Sequence, residues 1–432
     1  MKGLKFNLSA AGSAIGTNFG WLVLDKFLRL VTGLLVSVWV ARYLGPHQFG
    51  ILAYALTFIA IFQSISNVGI DNLVVRDVAA KPSKSHIYLG TAIGLRVAGA
   101  TLSYLLMLAA AATFHQNDKQ ILLTISVAGL LLFFQVSDVV DLWFQSQLQS
   151  RRTVVAKGIS YFLTAIIKIT LILSGAGLTA FAFATAAEAA LGLITMSIAY
   201  SLFKTAAHWR WSNAVAIDLL RQAWPLLLSG LCILLYMRIG VIFLRESAGN
   251  DAVGIYTVGA SLSELWYFIP MALASSLAPY ISRKRMEGSD AYQAFFFKAF
   301  AAMWALSLSV SIFNTFTATH WIHVLYGEQY KGAAEIFAIH TFTFIPVCLG
   351  VMQSVWLINE QKTKLALYQA LAGAAFAVSL NFILTPSVGA VGAAISTLIA
   401  QFVQAFFVNF LLDKDLFKMQ IKSLNFYSAI RS

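Results

Sequence analysis

Apolar runs long enough to span a bilayer recur along the whole of this 432-residue chain, separated by turns rich in Gly, Pro, Asn or charge. The first run, WLVLDKFLRLVTGLLVSVWVARYL, ends at the turn Leu44-Gly45-Pro46. Because 59% of the residues are hydrophobic and only 11% are charged, a water-soluble domain of this composition would have too little polar surface to cover itself. The sequence therefore predicts an all-α, polytopic membrane protein.

Twelve segments have the length and hydropathy of transmembrane helices. Their predicted spans are 18–42, 48–70, 87–114, 120–143, 153–174, 178–203, 222–244, 253–280, 294–318, 333–357, 364–385 and 388–412.

The Lys and Arg residues are distributed unevenly between the two kinds of connecting segment. If the N-terminus is cytoplasmic, 21 of the 30 lie in cytoplasmic segments and 4 lie on the opposite side. Since cytoplasmic loops of membrane proteins are enriched in Lys and Arg, we expect both termini in the cytoplasm. The net charge of +12 then reflects topology and contact with the lipid surface, and we expect no nucleic-acid partner.

Two short sequence patterns recur at nearly the same separation. The pattern G-x-x-x-x-G-I occupies 45–51 and again 249–255, and residues 171–174 resemble 382–385. Both pairs lie at equivalent places in the order of predicted helices, which favours two homologous six-helix lobes. Because six is even, both lobes enter the membrane from the same side, so their pseudo-twofold axis runs along the membrane normal.

This repeat predicts the domain organisation of the chain. We expect an N-terminal six-helix lobe at 1–207, a cytoplasmic linker at 208–221 and a C-terminal six-helix lobe at 222–432. The linker contains His208-Trp209-Arg210-Trp211, whose aromatic rings are typical of a segment lying at the membrane interface. A repeat of this kind predicts a substrate path between the lobes.

Seven short motifs lie along the chain in this order: WLVLDKFLRL, ARYLGPHQFGILAYA, Gly69-Ile70-Asp71, Val74-Val75-Arg76-Asp77, Trp224-Pro225, Leu325-Tyr326-Gly327-Glu328-Gln329-Tyr330 and Gly389-Ala390-Val391-Gly392-Ala393-Ala394. With these motifs the chain resembles the Wzx-type polysaccharide (O-antigen) flippases, in the polysaccharide transporter branch of the multidrug/oligosaccharidyl-lipid/polysaccharide superfamily. The resemblance covers nearly the whole chain and is most specific over 21–77.

The resemblance implies a two-lobe transporter of the bacterial inner membrane that works by alternating access. Its expected cargo is an undecaprenyl-pyrophosphate-linked oligosaccharide, moved from the cytoplasmic to the outer leaflet. Besides the cargo and the bilayer, a polysaccharide polymerase and a chain-length regulator are further partners to be expected. No enzymatic activity and no cofactor are implied.

Charged residues inside the apolar segments are the candidate functional residues, because charge at membrane depth is costly and usually marks a function. The candidate cations for binding an anionic pyrophosphate are Lys26, Arg29, Arg96, Lys168 and Arg238. The candidate ion-coupling acids are Asp25, Glu188 and Glu264. The excess of cations predicts a positive substrate path, since guanidinium groups bind phosphate oxygens in pairs.

Each of these candidates also has a structural interpretation. Asp25 precedes Arg29 by four residues and can neutralise it within the helix, which leaves Lys26 as the unmatched cation. Arg96 has no acid one turn away, so it either faces the substrate path or pairs with an acid distant in sequence. The acids Glu188 and Glu264 are either partners of the arginines or carriers of protons.

Two other functions are compatible with a polytopic chain of this kind and differ from a flippase in the residues that they require. A drug exporter of the same superfamily would share the fold, but cationic drugs favour an acidic cavity. A membrane enzyme of polysaccharide assembly, a polymerase or ligase, would need catalytic groups in a sizeable outer loop. The longest such predicted loop, 319–332, contains His320 and His323, which we interpret as interfacial side chains rather than metal ligands.

Cys232 and Cys348 both lie in apolar runs without paired spacing. We therefore predict no disulfide framework and no metal site.

Overall fold

A computed structural model describes the backbone of residues 8–205 and 208–424. Side chains are described for 32–205 and 208–424, apart from ten positions between 275 and 287 and position 363. The α-helices are α1 Leu8–Ser66, α2 Asp71–Ala80, α3 Ser85–Phe114, α4 Lys119–Gly129, α5 Leu131–Phe134, α6 Asp138–Ser146, α7 Ser150–Leu173, α8 Leu178–Leu202, α9 Asn213–Glu264, α10 Phe268–Glu287, α11 Ser289–Tyr326, α12 Ala333–His340, α13 Phe344–Asn359, α14 Thr363–Val388, α15 Ala390–Phe402, α16 Asn409–Leu412 and α17 Lys414–Lys422. Short 3₁₀ turns lie at Pro82–Lys84, Gln135–Ser137, Leu265–Tyr267, Glu328–Tyr330 and Thr341–Thr343, and a π-helical turn lies at Val403–Phe407.

The described part of the chain contains 10 stretches that are long and apolar enough to cross a membrane. Two of them, Thr32–Ala80 and Asn213–Ala274, are 49 and 62 residues long, and each includes two predicted segments. The remaining eight stretches correspond to one predicted segment each. The prediction of an all-α, polytopic membrane protein with twelve apolar segments is therefore confirmed.

Each of the two longest helices is divided by one glycine in a left-handed, extended conformation. Gly45 in α1 has φ 69° and ψ 171°, and Gly249 in α9 has φ 79° and ψ −175°. A residue with a side chain adopts a positive φ only at a cost, whereas glycine does so freely. The two repeats of the G-x-x-x-x-G-I pattern thus begin with the same backbone break.

These two turns also pack against each other in a reciprocal way. A Cβ atom added to Gly50 would overlap the carbonyl group of Asn250, and one added to Gly254 would overlap the carbonyl group of Pro46. Gly50 and Gly254 are 204 positions apart, and so are Pro46 and Asn250, so the two contacts are equivalent in the repeat. His47 and Asp251 are also 204 positions apart, and their side chains lie 2.9 Å from each other. The second glycine of the pattern is therefore needed for close backbone contact between the two turns.

The chain divides into two compact units. One unit contains Met1–Val40 and Phe62–Leu227, and the other contains Ala41–Ile61 and Leu228–Ser432. In the first unit, the linker residue Arg210 donates its backbone N–H to His86 O at 3.1 Å. Its backbone lies so close to Gly90 that no side chain would fit there. In the second unit, the core is dominated by aromatic rings such as Phe296 and Trp356, whose centroids are 5.0 Å apart.

The 3₁₀ turns Gln135–Ser137 and Thr341–Thr343 interrupt two of the long apolar stretches and lie 206 residues apart, close to the separation of the repeat. Interruptions of this kind free backbone carbonyl groups that must find donors inside the protein. In the first unit Arg96 donates to Gln135 O at 3.3 Å. In the second unit Ser311 donates to Thr341 O at 2.9 Å. Buried polar side chains thus permit both breaks.

The predicted outer loop at 319–332 is largely wrong. Helix α11 continues to Tyr326, and Gly327, with φ 81°, ends it by donating its N–H to His323 O and Ile322 O. A 3₁₀ turn follows at Glu328–Tyr330. The error arose because the polar residues His320 and His323 lie on a helix that extends beyond its apolar part.

Candidate functional site

The first candidate cation and acid meet in the helical hairpin formed by α7 and α8. Lys168 Nζ lies 3.0 Å from Glu188 Oε2. Ser160, which lies about two turns before Lys168 on α7, donates to the backbone carbonyl of Glu188 at 2.9 Å and fixes the register of the two helices. A predicted cargo-binding cation and a predicted ion-coupling acid are therefore partners of each other.

The second pair lies on α9, on either side of the break at Gly249. Arg238 Nη2 donates to Glu264 Oε2 at 2.8 Å. The side chain of Arg238 is 32% exposed and that of Glu264 is 17% exposed. The carboxylate is thus held further inside the unit than the guanidinium group, which remains partly accessible.

The third cation, Arg96, forms an ion pair with an acid distant in sequence. Arg96 is 3% exposed, and its Nη2 lies 2.5 Å from Asp71 Oδ1. Its Nη1 donates to Gln135 O, and Gln63 donates to the Gln135 side chain at 2.6 Å. Of the two interpretations of Arg96, the structure shows the ion pair, and it adds the role of closing the helix break at 135–137.

These three pairs change the predicted charge balance. Arg96, Lys168 and Arg238 are each matched by one carboxylate, so none of the three contributes an unbalanced positive charge. Sequence reasoning missed Asp71 because it follows the Gly69 turn and was assigned to no apolar segment. The predicted positive excess then depends on Asp25, Lys26 and Arg29, whose side chains lie outside the described residues.

A buried histidine that sequence reasoning did not select lies beside the Arg238–Glu264 pair. His340 is 1% exposed, at the end of α12. Its Nδ1 lies 2.6 Å from Ser263 Oγ, and Ser263 precedes Glu264. The only signal in the sequence was a histidine within the apolar run AEIFAIHTFTFIP.

Further polar groups form contacts apart from the three ion pairs and His340. Lys157 contacts Asp138 at 2.7 Å and Asp141 at 3.1 Å, which joins α7 to α6. His323 lies 2.8 Å from Glu328. Among the side chains that the structure describes, no three His, Cys, Asp or Glu groups come together as a metal ion would require.

The second unit contains a cavity of about 1080 Å³ beside α17. Its lining includes Trp356, Lys362, Lys418 and Lys422. Its lining residues do not include Arg238, Glu264 or the other described candidates, so this cavity is separate from the ion-pair sites.

Comparison with known proteins gives a family and a fold. The chain matches the family model described as "Polysaccharide biosynthesis protein" over residues 15–285. No curated protein sequence matches it significantly.

Solved structures of transporters share the fold over nearly the whole chain. An inward-facing multidrug resistance MATE transporter of the MOP superfamily is 16% identical, with a TM-score of 0.70, covering 93% of this chain and 99% of that one. The lipid II flippase MurJ, in an inward closed conformation, is 13% identical, with a TM-score of 0.69, covering 93% and 90%. A MOP superfamily transporter from Pyrococcus furiosus, described by the reverse polarity of its binding pocket, is 17% identical, with a TM-score of 0.65, covering 94% and 96%.

Identities this low establish a common fold, which is that of the MOP superfamily transporters. The family match extends over more than half of the chain, including its first six predicted helices and the start of the second repeat. This multi-pass membrane protein therefore belongs to the polysaccharide biosynthesis protein family.

Proposed function

We propose that the protein is a flippase for lipid-linked oligosaccharides. It moves undecaprenyl-pyrophosphate-linked glycan repeat units from the cytoplasmic to the outer leaflet of a bacterial inner membrane, by alternating access and with both termini in the cytoplasm. The family match is the observation that carries this proposal, because it connects the chain to polysaccharide assembly. The likeness in fold to a lipid II flippase supports it.

The charged pairs suit an anionic headgroup. In each pair one cation is held by a single carboxylate, and a pyrophosphate offers several oxygen atoms that compete for the same donors. Arg238 and Lys168 are the better placed cations, because both are partly exposed and Arg96 is not. We propose that Arg238 and Lys168, together with Lys26 and Arg29, contact the cargo, and that Arg96 positions α2 and the break at 135–137.

Reconstitution in vesicles tests the function directly. A lipid-linked oligosaccharide of the host strain is incorporated in both leaflets, and the fraction accessible to an external lectin is followed with time. We expect fast translocation with the wild-type protein and slow translocation with Arg238→Gln. Lys331→Gln, which removes an exposed cation outside the pairs, is the matched control and should translocate normally.

Two results would assign a different function. Transport of cationic dyes without movement of the oligosaccharide would indicate a drug exporter. In a deletion strain, accumulation of repeat units in the outer leaflet, translocated but not polymerised, would indicate an enzyme of chain assembly. Accumulation in the inner leaflet is the outcome that we expect.

A further inference from the structure

The imidazole of His340 is held in one protonation form by its neighbours. Ser263 Oγ lies 2.6 Å from Nδ1 and donates its own hydrogen to Ala260 O at 2.7 Å. A hydroxyl group has one hydrogen, so when Ser263 gives it to Ala260 O, Nδ1 is the donor in its contact with Ser263. A neutral imidazole carries one N–H, and its Nε2 is then an unprotonated base.

The surrounding hydroxyl groups support the same assignment. Thr343 donates to the backbone carbonyl of His340 at 2.6 Å, so its single hydrogen is not available to the imidazole. Tyr267, whose oxygen lies 2.5 Å from Thr343 Oγ1, must then be the donor in that contact. Tyr256 packs the edge of its ring against the imidazole, with centroids 6.1 Å apart and an interplanar angle of 86°.

The lone pair of Nε2 is buried without a donor. His340 is 1% exposed, and Nε2 has no hydrogen-bond partner among the described residues. Buried polar atoms are nearly always paired, and an exception needs an explanation. A base kept unprotonated and unpaired inside a membrane protein is suited to accept a proton.

Two charged groups act on this imidazole, and they are already each other's partners. Ser263, which contacts Nδ1 of His340, is followed directly by Glu264, and Glu264 is the ion-pair partner of Arg238, so both charged groups lie within electrostatic reach of the imidazole. The titratable or charged groups around it, among the described residues, are these two and the phenols of Tyr256 and Tyr267. An imidazolium ion at this depth needs a counter-charge, and Glu264 is the one carboxylate in that set.

We propose that Nε2 of His340 is a proton-accepting site whose protonation draws Glu264 away from Arg238 and frees that guanidinium group for a phosphate-bearing ligand. Before protonation, the carboxylate neutralises Arg238. After protonation, the carboxylate of Glu264 is shared between Arg238 and the imidazolium of His340. Arg238 is partly exposed, so an incoming anion can replace the lost part of its neutralisation. This inference rests on the proposed function for its ligand, a lipid-linked pyrophosphate.

The protonation form is tested by NMR on ¹⁵N-histidine protein, with the His340 signal identified by its loss in His340→Asn. We expect a protonated Nδ1 and an unprotonated Nε2 at neutral pH, and a doubly protonated ring at lower pH. A neutral ring protonated on Nε2 would overturn the inference. This measurement uses the wild-type protein and needs no transport.

The linkage is tested by binding inorganic pyrophosphate to the purified full chain from about pH 4 to 8, a range wide enough to include proton uptake by a buried imidazole. The affinity of the wild type for pyrophosphate should rise as the pH falls. This increase should be about tenfold larger than the increase in His340→Asn, which is a typical size for the coupling between two sites. Asn retains a donor toward Ser263 and removes the base. His115→Asn, which changes a buried histidine of the other unit, is the matched control and should behave as wild type.

Equal pH dependence in wild type and His340→Asn would refute the linkage. If His340→Asn does not fold, Ser263→Ala provides the second variant, because loss of the acceptor for Nδ1 should reduce the pH dependence of binding. Unchanged dependence in that variant would refute the linkage as well. If wild-type vesicles do not translocate oligosaccharide but the pyrophosphate linkage is present, the proposed function fails and the proton site remains.

Discussion

Arg238 and Glu264 lie on the same long helix, 2.8 Å apart between Nη2 and Oε2, although 26 residues and a glycine break separate them in sequence. Each was a candidate for a different task, one for binding cargo and one for coupling to an ion. Because they neutralise each other, neither task can be understood from one residue alone.

Glu264→Gln should mimic the protonated state of the His340 site. The amide cannot neutralise Arg238, so pyrophosphate binding should become tighter than in the wild type at neutral pH. Pyrophosphate binding by Glu264→Gln should also depend on pH no more strongly than binding by His340→Asn does. Titration calorimetry at two pH values measures both effects, and binding as weak as that of Arg238→Gln would contradict this prediction.

Lys168→Met and Glu188→Gln should each lower thermal stability, because each leaves one charge in the α7–α8 hairpin without its partner. The expected cost lies between about 1 kcal/mol, typical of an exposed pair, and about 4 kcal/mol, typical of a buried one. The double variant should recover most of that loss. Melting curves in detergent give the coupling energy, and strictly additive losses would show that the pair does not stabilise the hairpin.

Arg96→Ala should destabilise the first unit more than Asp71→Asn does. Removal of Arg96 leaves the carbonyl of Gln135 and the half-exposed carboxylate of Asp71 without their donor, and a buried polar group that loses its partner costs roughly 1–3 kcal/mol. Asp71→Asn retains an oxygen acceptor, and Asp71 itself is 46% exposed. Protease resistance of the purified variants ranks them, and equal resistance would argue against a role of Arg96 at the helix break.

Arg96→Lys should rescue Arg96→Ala only in part. A lysine places one ammonium group where the arginine reaches Asp71 and Gln135 O from two separate nitrogen atoms. Export of polysaccharide in a deletion strain carrying each variant is the readout. Full export with Lys would show that the two-sided contact is dispensable.

Gly50→Ala and Gly254→Ala should each be destabilising by about 1–3 kcal/mol, the usual cost of overpacking. The added methyl groups would overlap the carbonyls of Asn250 and Pro46. Gly158→Ala is the matched control, since a Cβ there meets no atom within 4 Å and alanine favours a helix. A similar melting temperature for all three variants would mean that the two turns do not need close contact.

Much of the fold follows from local sequence properties. Apolar length predicted the helices, and the glycine at the start of each repeat predicted the breaks at Gly45 and Gly249, because glycine adopts a positive φ without steric strain. The lobe boundaries at 207 and 222 remain a prediction. The boundaries of the longest predicted outer loop, 319–332, were wrong, since helix α11 continues to Tyr326 through polar residues that a hydropathy criterion excludes.

The sequence by itself determined which charges lie at membrane depth, since charge is intrinsic to Lys168, Glu188, Arg238 and Glu264. Only the tertiary structure decided which of them meet, because ion pairs depend on distances that helix packing sets. It also brought Asp71 to Arg96, and it left Nε2 of His340 without a donor among the residues that the structure describes. These contacts join residues at irregular separations along the chain, so no sequence pattern predicts them.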